Sequence, residues 1–383
     1  MAVNRLMALV PRPLRRGLKR LPGVAALRDR LYDYPRGPAP RPGELRPVVY
    51  LPTWQEWETM KQRPQYLLEA LAAAGHEVWF VDPRLEEPRS VNERIHLVPS
   101  IRETPRSGVI IYTHFAPNGT LIERYTDRVV IYDLLDDLAI YEPNEVGMPS
   151  EQTVRHHHPK LVQSADVVIA SNPVLLERHR SERTDMVLVE NGVDVERFDA
   201  EGPVADVLPE GEIVGYHGAL APWFDFDLVG AVAGLRPDLD FVLVGPVDPE
   251  VRDEARKLRR RGNITLIPSQ SSEQIADFVR GFTVGVLPFV VDEMTRAVTP
   301  LKMYEYLACG VPMVGTPLPA CVNEPAVDTA SSANDFAAAI DAALSLSPGD
   351  RLDLRRRALT ADWSRRVTPL LDRLRGTGRL IVG

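Results

Sequence analysis

A chain of 383 residues, 44% hydrophobic and 26% charged, exceeds one ordinary core and is too balanced for disorder, so it reads as a soluble, enzyme-sized protein of two domains. Its two cysteines, Cys309 and Cys321, exclude a disulfide framework and lack metal-ligand spacing, which suits a reducing compartment and leaves both as packing residues. The net charge of −8 is unevenly spread: residues 1–46 hold eleven Lys and Arg against three acids, a balance of +8, which leaves −16 for the rest.

The segment 1–44 sets Arg12, Arg15, Arg16, Lys19, Arg20, Arg28 and Arg30 among leucines. It has no uninterrupted apolar stretch, so it is neither a cleavable signal nor a membrane-spanning helix. A basic, leucine-bearing segment can lie on an anionic membrane surface. A solvated tail is the other reading, since Pro11, Pro13 and Pro22 interrupt any helix. Nucleic acid is not expected, because the remainder is acidic and carries no recognition motif.

From residue 45 short β-rich apolar runs alternate with helical patterns. The strand candidates are Val48–Leu51, Val78–Val81, Val109–Tyr112, Val129–Tyr132, Val167–Ala170 and Val187–Val189. This alternation predicts a parallel sheet covered by helices. Gly75 closes the helix over residues 64–74, and Asn172 with Pro173 opens another. The first α/β domain is placed at 45–196, with Gly- and Pro-bearing residues 197–212 as linker or surface loop.

The pattern then restarts with Ile213–Tyr216, Phe241–Val244, Ile264–Ile267, Val284–Leu287 and Met313–Val314, separated by helices over 249–261 and 272–280. A second α/β domain therefore spans 213–350. The tail 351–383 contains a charged helix over 351–375 whose apolar positions include Trp363 and Leu370, and it must dock. The expected fold class is α/β, with two Rossmann-like doubly wound domains whose strand carboxyl ends face across a cleft.

The ligand of that cleft is argued from the run 299–310. Thr299 is a good N-cap, Pro300 suits the first helical position, and Gly310 can close the helix left-handed. Following the strand Val284–Leu287, the helix start points unpaired amides into the crevice and attracts anions. Lys302 in the first turn opposes the helix dipole, a conflict that a diphosphate relieves. Glu305, one turn deeper on the same face, is an acceptor suited to ribose hydroxyls. A surface Lys and Glu pair at helical spacing is the alternative.

The segment 295–317, with Pro300, Lys302, Glu305, Gly310, Pro312 and Thr316, resembles the donor-site signature of GT-B glycosyltransferases of the group 1 type. The resemblance runs beyond it. Arg63-Pro64-Gln65 after Trp54 and Trp57, Tyr132-Asp133 with Asp136-Asp137, Asn191-Gly192-Val193-Asp194, and Gly215 to Ala219 with Trp223 and Asp225 are similar to a bacterial subset. That subset includes teichuronic acid biosynthesis proteins of the TuaH type, and residues 1–44 lie outside the likeness.

This resemblance implies a metal-independent hexosyltransferase with no resident cofactor, a nucleotide-diphosphate sugar as co-substrate, and a glycan or lipid-linked acceptor in cell-envelope or exopolysaccharide assembly. The donor residues it implies are Gly218, Thr299, Pro300, Leu301, Lys302 and Glu305, with Gly218 letting the backbone approach the phosphates; it also implies that Asn191 to Asp194 mark the crossing into the second domain and that the tail 351–383, with its helix around Trp363, returns to the first. The protein is then expected in the cytoplasm, free or peripheral on the inner face of the membrane. Two departures stand out. The loop Ala219 to Asp225 lacks the cations usual after this glycine, and Ala297 occupies the position of an acidic residue usual eight before Glu305. Arg296 either replaces the lost charge or is solvated.

On the acceptor side, the strand ending at Tyr132 delivers Asp133, Asp136 and Asp137. Clustered acids at a strand end are solvated, paired or useful. By position, and by similarity to inverting glucuronosyltransferase relatives, Asp136 is the candidate general base. His114, Arg63 and Gln65 are further acceptor-side candidates. The consecutive His156, His157 and His158 cannot share a helical face, so no metal is expected there. The alternatives carried forward are a GT-B nucleotide-sugar epimerase and a noncatalytic sugar-nucleotide-binding subunit. A nicotinamide dehydrogenase is not expected, because no Gly-x-Gly-x-x-Gly follows a predicted strand.

Overall fold

The computed structural model describes residues 34–53, 55–58, 61–135 and 151–383, with side chains from 154 onward in the last stretch. Two compact units are present. One comprises the described residues through Trp57 with Pro64–Glu190 and Val367–Gly383, and the other 58–63 with Asn191–Arg366.

The first unit is an eight-stranded sheet of β1 (Val48–Tyr50), β2 (Val78–Val81), β3 (Arg89–Ser90), β4 (Ile95–Val98), β5 (Ser107–Thr113), β6 (Thr126–Leu134), β7 (Val167–Ala170) and β8 (Val187–Leu188), in the order β3-β4-β2-β1-β5-β6-β7-β8. All neighbours pair in parallel except β3 on β4. Strands β1 and β7 are buried along their whole length, as helix-covered parallel strands require. Asn172 accepts from the Leu175 amide to start Pro173–Arg178, and Gly75 takes φ +105° after Arg63–Ala73.

In the second unit β9 (Ile213–His217), β10 (Asp240–Val244), β11 (Ile264–Ile267), β12 (Val284–Leu287), β13 (Met313–Gly315) and β14 (Val327–Thr329) form one parallel sheet in the order β11-β10-β9-β12-β13-β14. The order reverses between β9 and β12, the position where a doubly wound sheet opens a crevice. Gly215 and Gly285 lie in these two strands because the Phe282 and Tyr306 rings pack where a Cβ would stand.

Several expectations shift. Strands β3, β4 and β14 were not foreseen, being two to four residues long with little periodicity. The predicted helix 249–261 is a 3-10 turn, Pro249–Val251, capped by Asp248, followed by Arg252–Arg259. The predicted single helix 351–375 is three, Pro348–Leu359, Trp363–Arg366 and Thr368–Gly376, and the last lies in the first unit. The stretch 197–212 is not a free linker, because Arg280 donates to the carbonyls of Arg197, Asp199 and Pro203.

Candidate functional site

The site is built at the sheet reversal of the second unit. Strand β9 ends at His217, and Gly218 turns away at φ +129° while its amide donates to the Val244 carbonyl (2.9 Å). A Cβ on Gly218 would lie 3.0–3.1 Å from Cε and Nζ of Lys302 and 3.2 Å from the Tyr216 hydroxyl. Gly245, directly after β10 at φ +155°, packs so tightly that its Cβ would stand 2.0 Å from the Gly218 carbonyl oxygen. Only glycine fits either place.

From the end of β12 the chain is held by Thr316 Oγ1 donating to the Phe289 carbonyl (2.7 Å) and Thr295 Oγ1 to that of Val290 (2.6 Å). A short turn, Thr295–Ala297, leads to the helix Leu301–Ala308, which closes through Gly310 at φ +71°. The expected capping is displaced by one residue. Pro300, not Thr299, holds the N-cap position, and with no hydroxyl it makes no cap bond. The amides of Leu301 and Lys302 consequently have no acceptor among the described residues. Thr299 instead offers its carbonyl to Asn191 Nδ2 (2.6 Å).

Lys302 is half-buried, with its ammonium 5.3 Å from the ring centre of Tyr216 and 5.2 Å from that of Phe289. It has neither a hydrogen bond nor an ion pair among the described residues. Burial pushes its pKa down to about 8, against the opposing pull of Glu305. Glu305, buried at 6% exposure, faces His217, whose Nε2 stands 3.1 Å from Glu305 Oε2 but off the hydrogen-bond line. The imidazole also meets the Tyr306 ring edge-on at 5.3 Å, and the His217 amide donates to the Tyr306 hydroxyl (3.2 Å).

Gly218, Leu301, Lys302 and Glu305 thus gather within one unit. Arg296 is exposed, and Asp225 caps Phe226–Leu235 by accepting from Leu228. His217, Gly245 and Phe289 were not singled out from sequence. A histidine ending an otherwise apolar strand was the available signal.

The remaining candidates lie elsewhere. Arg63 is buried, grouped with the second unit, and donates to Asn191 Oδ1 (3.2 Å). In the first unit, where the sheet order reverses between β1 and β5, the buried Tyr50 hydroxyl donates to Gln55 Oε1 (2.7 Å) and lies 3.1 Å from His114 Nδ1. The buried Asp133 accepts from the Tyr112 hydroxyl (2.7 Å), and Gln65 donates to the Glu56 carbonyl (2.9 Å). Asp136, Asp137 and Trp54 lie outside the described residues. His156 meets Lys160, His157 lies against Gly119, and His158 pairs with the Tyr132 hydroxyl, three divergent directions. Among the described residues no group of three or more His, Cys, Asp or Glu could hold a metal ion.

Residues 211–346, within the second unit, match the family model described as glycosyl transferases group 1. Sucrose-phosphate synthase from Thermosynechococcus elongatus superposes with a TM-score of 0.68 at 17% identity, over 87% of this chain and 99% of that one. The E. coli trehalose-6-phosphate structure bound with UDP-2-fluoro glucose gives 0.63 at 13%, over 86% and 98%. Anabaena HepE in complex with UDP and glucose gives 0.57 at 13%, over 86% and 100%. At these identities the likeness is one of fold, which is GT-B.

In sequence the chain is similar to a Bacillus subtilis protein named as the teichuronic acid biosynthesis glycosyltransferase TuaH, 28% identical over 258 residues. That match takes in 63% of this chain and spans about 65% of the relative's length.

Proposed function

We propose that this chain is a metal-independent glycosyltransferase that takes a sugar from a nucleotide-diphosphate donor and passes it to a glycan or lipid-linked acceptor in cell-envelope or exopolysaccharide assembly. The observation that supports it is Lys302, an ammonium without an anionic partner, set beside two unpaired amides and the bare backbone of Gly218. Such a place takes a diphosphate, because charge-assisted bonds there replace hydration that burial has already removed. Glu305 receives the ribose hydroxyls. Leaving-group charge is met by preorganised amides and one cation, with no residue of the loop 219–225 contributing a charge before Asp225. The complexes with UDP compounds among proteins of this fold make a UDP-sugar the first donor to try.

On the acceptor side Asp136 serves as the general base, with His114, Asp133, Asp137 and Gln65 shaping the acceptor pocket. The basic segment 1–44 holds the protein on the inner face of the cell membrane, in keeping with a lipid-linked acceptor. Among the described residues no helix is long and apolar enough to cross a membrane.

A thermal-shift screen against UDP-, GDP- and dTDP-sugars, followed by product analysis with and without acceptor, tests the reading. One donor class should raise the melting temperature in the wild type and fail to do so in Lys302→Ala. Asp136→Asn should bind donor without transferring it. Turnover of the sugar in the absence of any acceptor would make the protein an epimerase, and binding without turnover a noncatalytic subunit. Unchanged liposome association after deletion of residues 1–36 would remove the membrane role.

A further inference from the structure

Glu305 is a carboxylate taken almost wholly out of water. Desolvation of that kind is tolerated when the remaining acceptor sites are filled. Among the described residues its Oε2 is met by His217 Nε2 at 3.1 Å, and its Oε1 has no partner. The imidazole is immobilised from the other side. Its backbone ends β9, its amide is tied to the Tyr306 hydroxyl, and its ring stands edge-on to Tyr306 at 83°. Tyr306 is fully buried on the same helix as Glu305, and burial keeps its phenol protonated. One strand end and one helix face therefore hold the imidazole in a single place, 3.1 Å from the carboxylate.

We infer that His217 is the positioning residue of nucleotide recognition, holding Glu305 so that its free oxygen accepts a ribose hydroxyl and thereby setting the preference for an intact ribose over a deoxygenated one. This rests on the proposed nucleotide-sugar reading of the site. A pinned carboxylate discriminates because only one geometry offers the acceptor, and a ligand without the hydroxyl leaves that acceptor buried and unpaired. A freely rotating carboxylate would turn toward solvent and discriminate weakly.

The test uses the full chain and calorimetric titration with uridine diphosphate and its 2′,3′-dideoxy counterpart, with the guanosine pair in parallel. The wild type should prefer the intact ribose by roughly tenfold or more. His217→Ala and Glu305→Gln should each reduce that ratio toward one while leaving affinity for the dideoxy ligand unchanged, and the double variant should lose no more than either alone. His217→Gln, which retains a side-chain N–H donor of similar reach, should recover part of the preference and guards against collapse of the strand end in the alanine variant. A wild-type ratio in folded His217→Ala, or equal loss for both ligands, overturns the inference and leaves the donor site standing. Absence of any nucleotide binding in the wild type overturns the donor reading and this inference with it.

Discussion

A lysine in the first turn of a helix and a glycine three residues after the middle of a strand are ordinary in sequence; what makes them a site is that Lys302 is left over two aromatic rings with no ion pair among the described residues. With its pKa pushed down to about 8, Lys302 is charged below that pH, and a bound diphosphate pulls the value back up. Donor affinity should therefore be flat below about pH 8 and fall as pH rises through it, by at most about tenfold per unit, with a proton taken up on binding. Titrations between pH 6.5 and 9.5 in buffers of different ionisation enthalpy measure both, and a flat affinity over that range contradicts the assignment. In the ligand-free protein the sign is opposite. The unfolded chain holds this proton more tightly, so stability should rise between about pH 8 and the ordinary lysine value. Gly218→Ala forces a side chain into φ +129° against Lys302 and Tyr216. It should cost about 1–3 kcal/mol in chemical denaturation and weaken the donor as well.

Among the elements, the helices were legible where a cap was local. Asn172 and Gly75 act where their types suggested, since capping depends on residues within one turn. Thr299 failed as a cap because its carbonyl is drawn to Asn191, over a hundred residues earlier in the chain, and the helix begins one residue later than its hydroxyl could serve. Strands buried on both faces declared themselves as apolar runs, whereas the edge strand β14, with Asp328 and Thr329 exposed, gave no such signal. The carboxyl-terminal helices show what a charged sequence hides. Arg357 donates at 2.8 and 3.0 Å to Glu324, which is buried at 3% exposure and meets the Tyr304 hydroxyl at 3.4 Å. Arg357→Ala should leave that buried carboxylate without its cation and cost about 1–3 kcal/mol. Urea denaturation would read the loss as a lowered midpoint, and an unmoved midpoint would make the pair a surface ornament.

For the whole molecule the first unit is discontinuous, completed by Val367–Gly383 after the second has intervened. Arg46 and Gly43 donate to the Leu380 and Val382 carbonyls, Val382 donates to that of Glu44, and Arg379 reaches Asp166 and the Arg128 carbonyl. Truncation after Arg366 should therefore lower the melting temperature of the first unit by several degrees, each lost kcal/mol being worth roughly 2–4 °C in a chain of this size. A melting profile identical to that of the intact chain would show these bonds to be dispensable. By itself the sequence determined the alternation of strands and helices, the doubling of the α/β pattern, and the chemistry offered by Gly218, Lys302 and Glu305, because periodicity, caps and residue types act over a few positions. Only the tertiary structure decided that His217 faces Glu305, that Gly245 makes way for Gly218, that Arg63 is buried on Asn191, and that Phe289 and Tyr216 flank the ammonium. These contacts join residues 13 to 128 positions apart, and such pairs are set by the order of strands in a sheet, which no local pattern encodes.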